Sequence, residues 1–154
     1  MNFPVGDVIA KAPLPVNIVT VANELKKINF NGYIIMSVNK NCFEEGVLFF
    51  REGDFYAAMV ECVFAEKNFK GDNAIEYILN QTVGNGFFQT VQLVRSQVDL
   101  VTAFDEKLLF RNKINLKDLP KLIPSTFRDN FILQEQNEDI LNKYGLSSLG
   151  KKSD

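Results

Sequence analysis

The stretch EEGVLFFREGDFYAAMVEC, residues 44–62, decides the fold that this sequence predicts. Two apolar runs, residues 46–50 and 55–60, flank a charged tip at residues 51–54. Glycine adopts the positive φ angle of a tight hairpin turn at no steric cost, and Gly53 lies in this tip. The stretch therefore predicts a β-hairpin that turns at its charged tip.

Both runs of the hairpin are apolar at nearly every position instead of alternating with polar residues. This pattern favours central strands that are covered on both faces, or by helices on one face and by a partner chain on the other. The charges of Arg51, Glu52 and Asp54 indicate a solvated turn, because water around a turn leaves nothing to raise a carboxyl pKa for catalysis. The candidate interaction surface on the hairpin comprises Phe49, Arg51, Phe55 and Met59.

Upstream of the hairpin the sequence predicts one helix and one strand. Apolar residues recur with a helical period over residues 18–28, and Asn17 can cap this helix. Asn31-Gly32 interrupts the pattern, and residues 33–38 are rich in aromatic and branched side chains that favour a strand.

Downstream of the hairpin the sequence predicts a helix, a strand and a third helix. Gly71-Asp72 opens the second helix, with the Asp72 side chain as its cap. Residues 87–94 then predict a strand. Ser96 and Asp99 have the spacing of a capping box, so the third helix begins here and runs to about residue 110. The apolar residues that follow the capping box are Leu100, Val101, Phe104 and Leu108.

The element order is therefore α-β-β-β-α-β-α. It predicts an α+β domain with a small, mainly antiparallel sheet, a central hairpin and helices packed on the sheet. Seven residues are assigned to turns and helix caps in this fold: Gly32, Gly46, Gly53, Gly71, Asp72, Gly86 and Ser96.

The chain divides into one domain, an extension and a tail. The α+β domain covers residues 1–110. Beyond it two prolines interrupt the apolar pattern, and a last short helix is expected over residues 133–144. Residues 111–145 are interpreted as a C-terminal extension that packs on the domain or on a neighbour, and residues 146–154 as a flexible tail.

The composition is that of one globular domain: 154 residues, 46% hydrophobic with 14 Phe, and 23% charged. No apolar run is long enough to span a bilayer, and the first residues lack the pattern of a secretory signal. We therefore expect a cytoplasmic protein without membrane insertion. The net charge of -2 comes with basic residues spread among acids, so nucleic acid is not an expected partner.

The absence of histidine narrows the chemistry that the chain can perform. His is the commonest general base and metal ligand, and the chain contains none. The sequence also lacks a glycine-rich phosphate loop and a Cys-x-x-Cys motif, so we expect no cofactor and no metal.

Two remaining groups of residues are interpreted as structural. Cys42 and Cys62 have apolar neighbours and are predicted to be small buried thiols, with a redox pair as the alternative. An enzyme could use carboxylates, but those of the hairpin region are spaced as on a solvated face: Glu44, Glu45, Glu61 and Glu66.

Four short motifs follow one another along the chain. They are FNG at residues 30–32, GVLFFREGDF at 46–55 with two alanines after it, GDNAIEYIL at 71–79 and GFF at 86–88. In this order and spacing they resemble the PatA N-terminal-type signalling domain and its uncharacterised archaeal relatives. Such domains are non-catalytic modules often joined to response-regulator or kinase parts. The resemblance implies regulation through protein contacts and no active site.

The leading hypothesis is a non-catalytic interaction or scaffold module in signalling or regulation. It would have a protein partner and associate with itself, as a homodimer, through a sheet edge or an apolar helix face. A monomer with well-covered Phe-rich strands is the plain alternative. A second hypothesis is a sensor that holds an apolar small molecule between sheet and helices. A third is a roadblock-like or longin-like GTPase-regulating platform, by analogy of fold alone.

Overall fold

The computed structural model describes residues 3–39 and 42–128, which form an antiparallel sheet with helices on both faces. The strands of these ranges are β1 (Asp7–Leu14), β2 (Gly32–Asn39), β3 (Phe43–Arg51), β4 (Asp54–Cys62), β5 (Lys67–Lys70) and β6 (Gly86–Gln92). The helices are α1 (Ile18–Lys27), α2 (Ile75–Gln81), α3 (Arg95–Phe104) and α4 (Leu119–Leu122). Short 3-10 turns lie at residues 71–74, 106–108 and 116–118. The predicted α+β class is confirmed.

The strand order in the sheet is β1-β6-β2-β3-β4-β5, and neighbouring strands are antiparallel. The hairpin β3–β4 lies inside the sheet, whereas β1 and β5 form the two edges. Neither edge strand is predicted from the sequence, because β1 is exposed over most of its length and β5 has only four residues. Local periodicity carries no signal for such strands, which form by long-range pairing.

The predicted hairpin is confirmed, with its turn at Glu52-Gly53. Glu52 has a φ angle of 51° and Gly53 of 86°, which is the pair of positive angles of a type I′ turn. The backbone N–H of Gly53 donates to the carbonyl of Phe30 at 2.9 Å, and that of Glu52 donates to Oδ1 of Asn31 at 2.9 Å. The tip is therefore fixed against the loop that precedes β2.

The apolar hairpin is covered on both faces by its own chain. Phe50 points to the main core, which includes Ile18 of α1 and Ile78 of α2. Phe49 points the other way, to a smaller core that includes Val101 of α3. The sequence pattern favours either coverage of both faces within the chain or coverage of one face by a partner chain. At Phe49 and Phe50 the structure shows coverage by the chain's own helices.

The predicted cap of the first helix is confirmed. Oδ1 of Asn17 accepts hydrogen bonds from the backbone N–H groups of Val19 at 3.1 Å and Thr20 at 3.3 Å. These bonds satisfy two of the donors that a helix leaves unpaired at its first turn.

The two other predicted caps are wrong. Asp72 lies in a 3-10 turn, and its Oδ1 accepts from the backbone N–H of Arg111 at 3.1 Å. Ser96 lies inside the first turn of α3, where Oε1 of Gln97 accepts from the backbone N–H of Val94 at 3.1 Å instead. The third helix also ends at Phe104, before the predicted limit.

The assignment of Gly46 to a turn is also wrong, because β3 begins at Phe43 and places Gly46 inside the strand. A Cβ atom at this position would lie 1.9 Å from Oε1 of Gln81 in α2. The glycine therefore allows α2 to approach the sheet closely.

Cys42 and Cys62 form a disulfide, so the prediction of free thiols is wrong. Cys42 lies just before β3 and Cys62 ends β4, where it pairs with Glu44 in the ladder. This pairing brings the two Cα atoms to 6.6 Å, within the range of a disulfide. The spacing in the sequence does not show that proximity, because it depends on the strand register.

Residues after α3 return to the main core. Phe110, Leu116 and Phe127 pack against it, and both backbone polar groups of Arg128 bond to the Asn80 side chain. The helix predicted over residues 133–144 and the tail 146–154 lie outside the described residues. No helix in the described part of the chain has the length and apolar character needed to cross a membrane.

Candidate interaction surface

Helix α3 covers only part of its side of the sheet. Its buried residues are Val98, Val101 and Thr102, whereas Leu100 is 49% and Phe104 is 86% exposed. Leu100 and Phe104 are thus two apolar residues of the predicted helix that the fold leaves uncovered. The helix presents these two apolar side chains to solvent.

The sheet beyond α3 presents two cross-strand rows on the same side as this helix. Residues directly opposite each other on antiparallel strands project to the same face. The first row, from β1 to β4, is Lys11, Gln89, Ile35, Val47 and Met59. The second row is Pro13, Phe87, Ser37, Glu45 and Glu61. We call these residues the open rows, since all except Val47 are at least partly exposed.

An apolar cleft of about 470 Å³ adjoins the open rows at their β4 end. Its walls come from the N-terminal segment, β4, α3 and the 3-10 turn at 106–108. The lining residues are Phe3, Pro4, Met59, Leu100, Val101, Phe104, Asp105 and Leu108. Met59 belongs to both the cleft and the open rows, so the two features form one continuous surface.

The aromatic wall of the cleft is anchored in the smaller core. The ring of Phe3 packs edge-on against Phe49 with 5.0 Å between the ring centroids, and lies 6.0 Å from the ring of Tyr33. The N-terminal segment is thereby held across the sheet between α3 and the open rows.

The one carboxylate of the cleft is already paired. Nζ of Lys70 lies 2.6 Å from Oδ2 of Asp105, and this hydrogen-bonded ammonium group holds the pKa of the Asp105 carboxyl below its usual range. The backbone N–H of Lys107 donates to the other carboxylate oxygen at 3.2 Å. Asp105 therefore fixes the end of α3 to β5.

A charge network attaches the other end of α3 to the hairpin tip. The Arg51 guanidinium lies 4.3 Å from the ring centroid of Tyr56, and its Nε lies 3.6 Å from Oδ1 of Asp99. Arg95 bridges Asp99 at 3.3 Å and also hydrogen bonds to Glu52. Glu52 and Asp54 are exposed, as the sequence predicts for a solvated turn. Arg51 is partly buried instead and, through Asp99, helps to position α3.

Tyr56 completes this attachment. Its hydroxyl donates to the carbonyl of Val98 at 3.0 Å, and burial raises its pKa above the usual value. The phenol therefore serves as a neutral hydrogen-bond donor beneath α3.

The structure separates the four residues of the predicted hairpin surface. Met59 lines the cleft. Phe49 is fully buried, so the prediction that it belongs to an interaction surface is wrong. Phe55 points to the opposite face and packs between Phe50 and Phe110, with distances of 6.1 and 6.2 Å between ring centroids. The prediction that Phe55 belongs to this surface is therefore also wrong. Arg51 is half-buried and engaged with Tyr56.

The sequence does not identify the other members of this surface. Phe3, Phe87 and Phe104 are scattered along the chain, and only the fold brings them to one side of the sheet. The sequence of α3 does contain a signal for an exposed apolar face. Its apolar residues occupy a wider arc of the helix circumference than one buried stripe requires: Val98, Leu100, Val101 and Phe104.

The four carboxylates considered for catalysis do not converge. Glu45 and Glu61 are directly opposite each other in the open rows, whereas Glu44 is buried on the other face and Glu66 lies beyond β4. Within residues 3–39 and 42–128 no group of three His, Cys, Asp or Glu side chains is placed to hold a metal ion. Among the described residues, these four carboxylates are thus spread over both faces of the sheet and do not form one cluster.

Comparison with known protein families gives a match to part of the chain. Residues 1–104 match the model of a protein family described as "Uncharacterized protein conserved in archaea (DUF2226)". This range contains all six strands of the described sheet and helix α3. No curated protein and no solved structure matches the chain.

Proposed function

The chain belongs to a family of uncharacterised proteins conserved in archaea (DUF2226), and from the apolar cleft on its α3 side we propose that it is a non-catalytic, self-associating interaction module. The observation that carries this proposal is the exposure of Leu100 and Phe104 beside Met59. Contiguous apolar surface of this kind is typical of protein contact sites. A role in signalling or regulation, as in PatA N-terminal-type domains, is part of the same proposal.

The α3 side is a better contact surface than the free edge of the sheet. Edge strand β1 carries Lys11 and Pro13, and its ladder with β6 shifts register between Val8 and Ala10. A charge, a proline and a bulge are features by which proteins prevent edge-to-edge pairing. The other edge, β5, has four residues and offers a short template.

The proposed location is the cytoplasm. Disulfides are rare in most cytosolic proteins, but intracellular proteins of hyperthermophilic archaea are rich in them. The Cys42–Cys62 disulfide in a family conserved in archaea is therefore compatible with this location.

Light scattering over a wide concentration range tests the proposal. We expect a concentration-dependent dimer whose dissociation constant rises at least about tenfold in Phe104→Ser, because an exposed aromatic anchor is lost. Ile28→Ser is the matched control: Ile28 is 61% exposed and follows α1, which packs on the opposite face. A wild-type chain that stays monomeric at every concentration would contradict self-association. Equal effects of the two substitutions would exclude the cleft as its site.

The dimensions of the cleft favour a second candidate function, a sensor of an apolar small molecule. A volume of about 470 Å³ with mostly apolar lining lies within the range of about 300–1,000 Å³ for ligand sites. On this hypothesis, an organic extract of the purified protein contains one apolar compound in stoichiometric amount by mass spectrometry. Leu100→Asp should abolish its retention. Extracts without any stoichiometric compound would contradict the sensor hypothesis and would not bear on self-association.

A further inference from the structure

Helix α3 presents a line of exposed residues that points away from its own sheet. Six of its ten residues are exposed: Arg95, Ser96, Asp99, Leu100, Ala103 and Phe104. Ser96, Leu100 and Ala103 follow one another at spacings of four and three residues, the spacing at which one helix packs along another. We call these three residues the α3 seam. Leu100 projects from the seam, and the short side chain of Ala103 leaves room beside it for a projecting residue of a second helix.

The two ends of α3 carry opposite charges. Arg95 begins the helix and is exposed, although it also bridges Asp99. Glu106 follows the helix, is exposed and makes no ion pair with a residue of the described ranges. Two parallel α3 helices would bring like charges together at each end, whereas two antiparallel helices bring Arg95 of one copy to Glu106 of the other. The partial charges at the helix ends act in the same sense, so charge favours the antiparallel arrangement.

The apolar cleft and Phe104 lie on the same flank of α3, because Phe104 itself forms part of the cleft wall. A two-fold axis that passes between two seams, at right angles to both helices, makes the helices antiparallel and brings this flank of one copy to the same flank of the other. When Leu100 lies beside the partner's Ala103, Phe104 lies level with the partner's Leu100 and above the partner's cleft. Each copy therefore supplies both the projecting ring and the cleft that receives it.

We propose that two copies of this chain pair their α3 helices antiparallel across a two-fold axis, with Leu100 of each copy beside Ala103 of the other and Phe104 of each in the cleft of the other. The pairing rests on the proposed self-association and specifies its geometry. A helix is about 10 Å across, so two stacked α3 helices hold the sheets at least about 20 Å apart. The α3 helix of each copy thus meets a helix, and the open rows of the two copies do not touch.

Cysteine cross-linking tests the pairing in the full chain. The two copies of residue 103 lie about 4.5 Å apart along the helix axes, whereas the copies of residue 96 lie about 16 Å apart. Helices in contact at the first offset bring their Cα atoms within reach of a disulfide. Cys42 and Cys62 are bonded to each other, so an introduced thiol is the free one.

Ala103→Cys should form a covalent dimer under mild oxidation, and Ser96→Cys should give at least about tenfold less of it on a non-reducing gel. Ser96→Cys is the matched control, because it places an exposed thiol on the same seam.

Light scattering gives a second test without added thiols. Ala103→Glu should raise the dimer dissociation constant at least about tenfold, because it places a carboxylate against the partner's Leu100. Asn23→Glu, an exposed substitution on α1 at the opposite face, is the control and should leave the constant unchanged. Thermal melts followed by circular dichroism verify that each variant is folded.

The outcomes separate the pairing from the function on which it rests. A wild-type chain that is monomeric at every concentration overturns both. A dimer that Phe104→Ser weakens, but that Ala103→Cys does not cross-link, overturns the helix pairing and leaves the interaction module in place. Equal cross-linking at residues 96 and 103 also overturns the antiparallel pairing, since parallel helices bring every seam residue next to its own copy.

Discussion

Phe49→Ala lowers the free energy of unfolding by about 3–5 kcal/mol, the cost expected when a fully buried aromatic ring leaves a cavity. The ring of Phe49 has no exposed surface and packs against Phe3 at 5.0 Å and Tyr33 at 5.8 Å between centroids. Its loss removes the support on which the N-terminal segment lies, so the wall of the apolar cleft loosens as well. Urea denaturation followed by circular dichroism measures the effect.

Phe104→Ala is the matched control for this prediction. Phe104 is the same residue type on the same side of the sheet, but it is 86% exposed. Removal of an exposed ring should cost less than about 1 kcal/mol in a monomer. Denaturation is therefore measured at a protein concentration where the chain is monomeric, so that association does not contribute. Equal losses in the two variants would mean that Phe49 is not buried as described.

Gly32→Ala should lower the free energy of unfolding by about 3 kcal/mol or more, through backbone strain and a clash. Gly32 begins β2 with a φ angle of 150°, which side chains other than glycine's rarely permit. A Cβ atom there would lie 2.0 Å from the backbone oxygen of Val91 in β6. Relief requires β2 and β6 to separate at the end of their ladder, where Gly32 pairs with Gln92. Thermal and urea unfolding measure the loss.

Gly84→Ala provides the comparison for Gly32→Ala. The nearest atoms to an added Cβ at Gly84 are side-chain carbons of Phe127 at 3.0 Å and Val38 at 3.3 Å. Side chains can shift by a few tenths of an ångström, whereas the carbonyl of a paired strand cannot move without breaking its ladder. The Gly84 variant should therefore be the more stable of the two, and the reverse order would contradict the described close approach at Gly32.

Much of the fold can be predicted from local sequence because its central elements have strong local signals. The residue types at the Glu52-Gly53 turn and the capping side chain of Asn17 are signals that can be read locally. By contrast, Asp72 binds the distant backbone of Arg111, and β1 is defined only by its ladder with β6. Elements that depend on distant partners have no local pattern from which they could be predicted.

The candidate surface is less predictable for a geometric reason. Successive residues of a strand point to opposite faces, and both faces of this hairpin are apolar. Phe49, Phe55 and Met59 therefore look alike in the sequence. Only the position of α3 and of the N-terminal segment decides that Phe49 is covered and Met59 borders a cleft. Coverage of a sheet face is a property of tertiary packing.

The position of β6 has a consequence for the order in which the sheet assembles. β2, β3 and β4 are joined by short connections and can pair soon after they are synthesised. β1 leaves the ribosome before the other described strands, but it pairs with β6, which enters between β1 and β2. Contacts between residues so far apart in the chain raise the contact order and slow folding. β1 thus pairs late although it is made early, because its partner strand is complete only when residues 86–92 have been added.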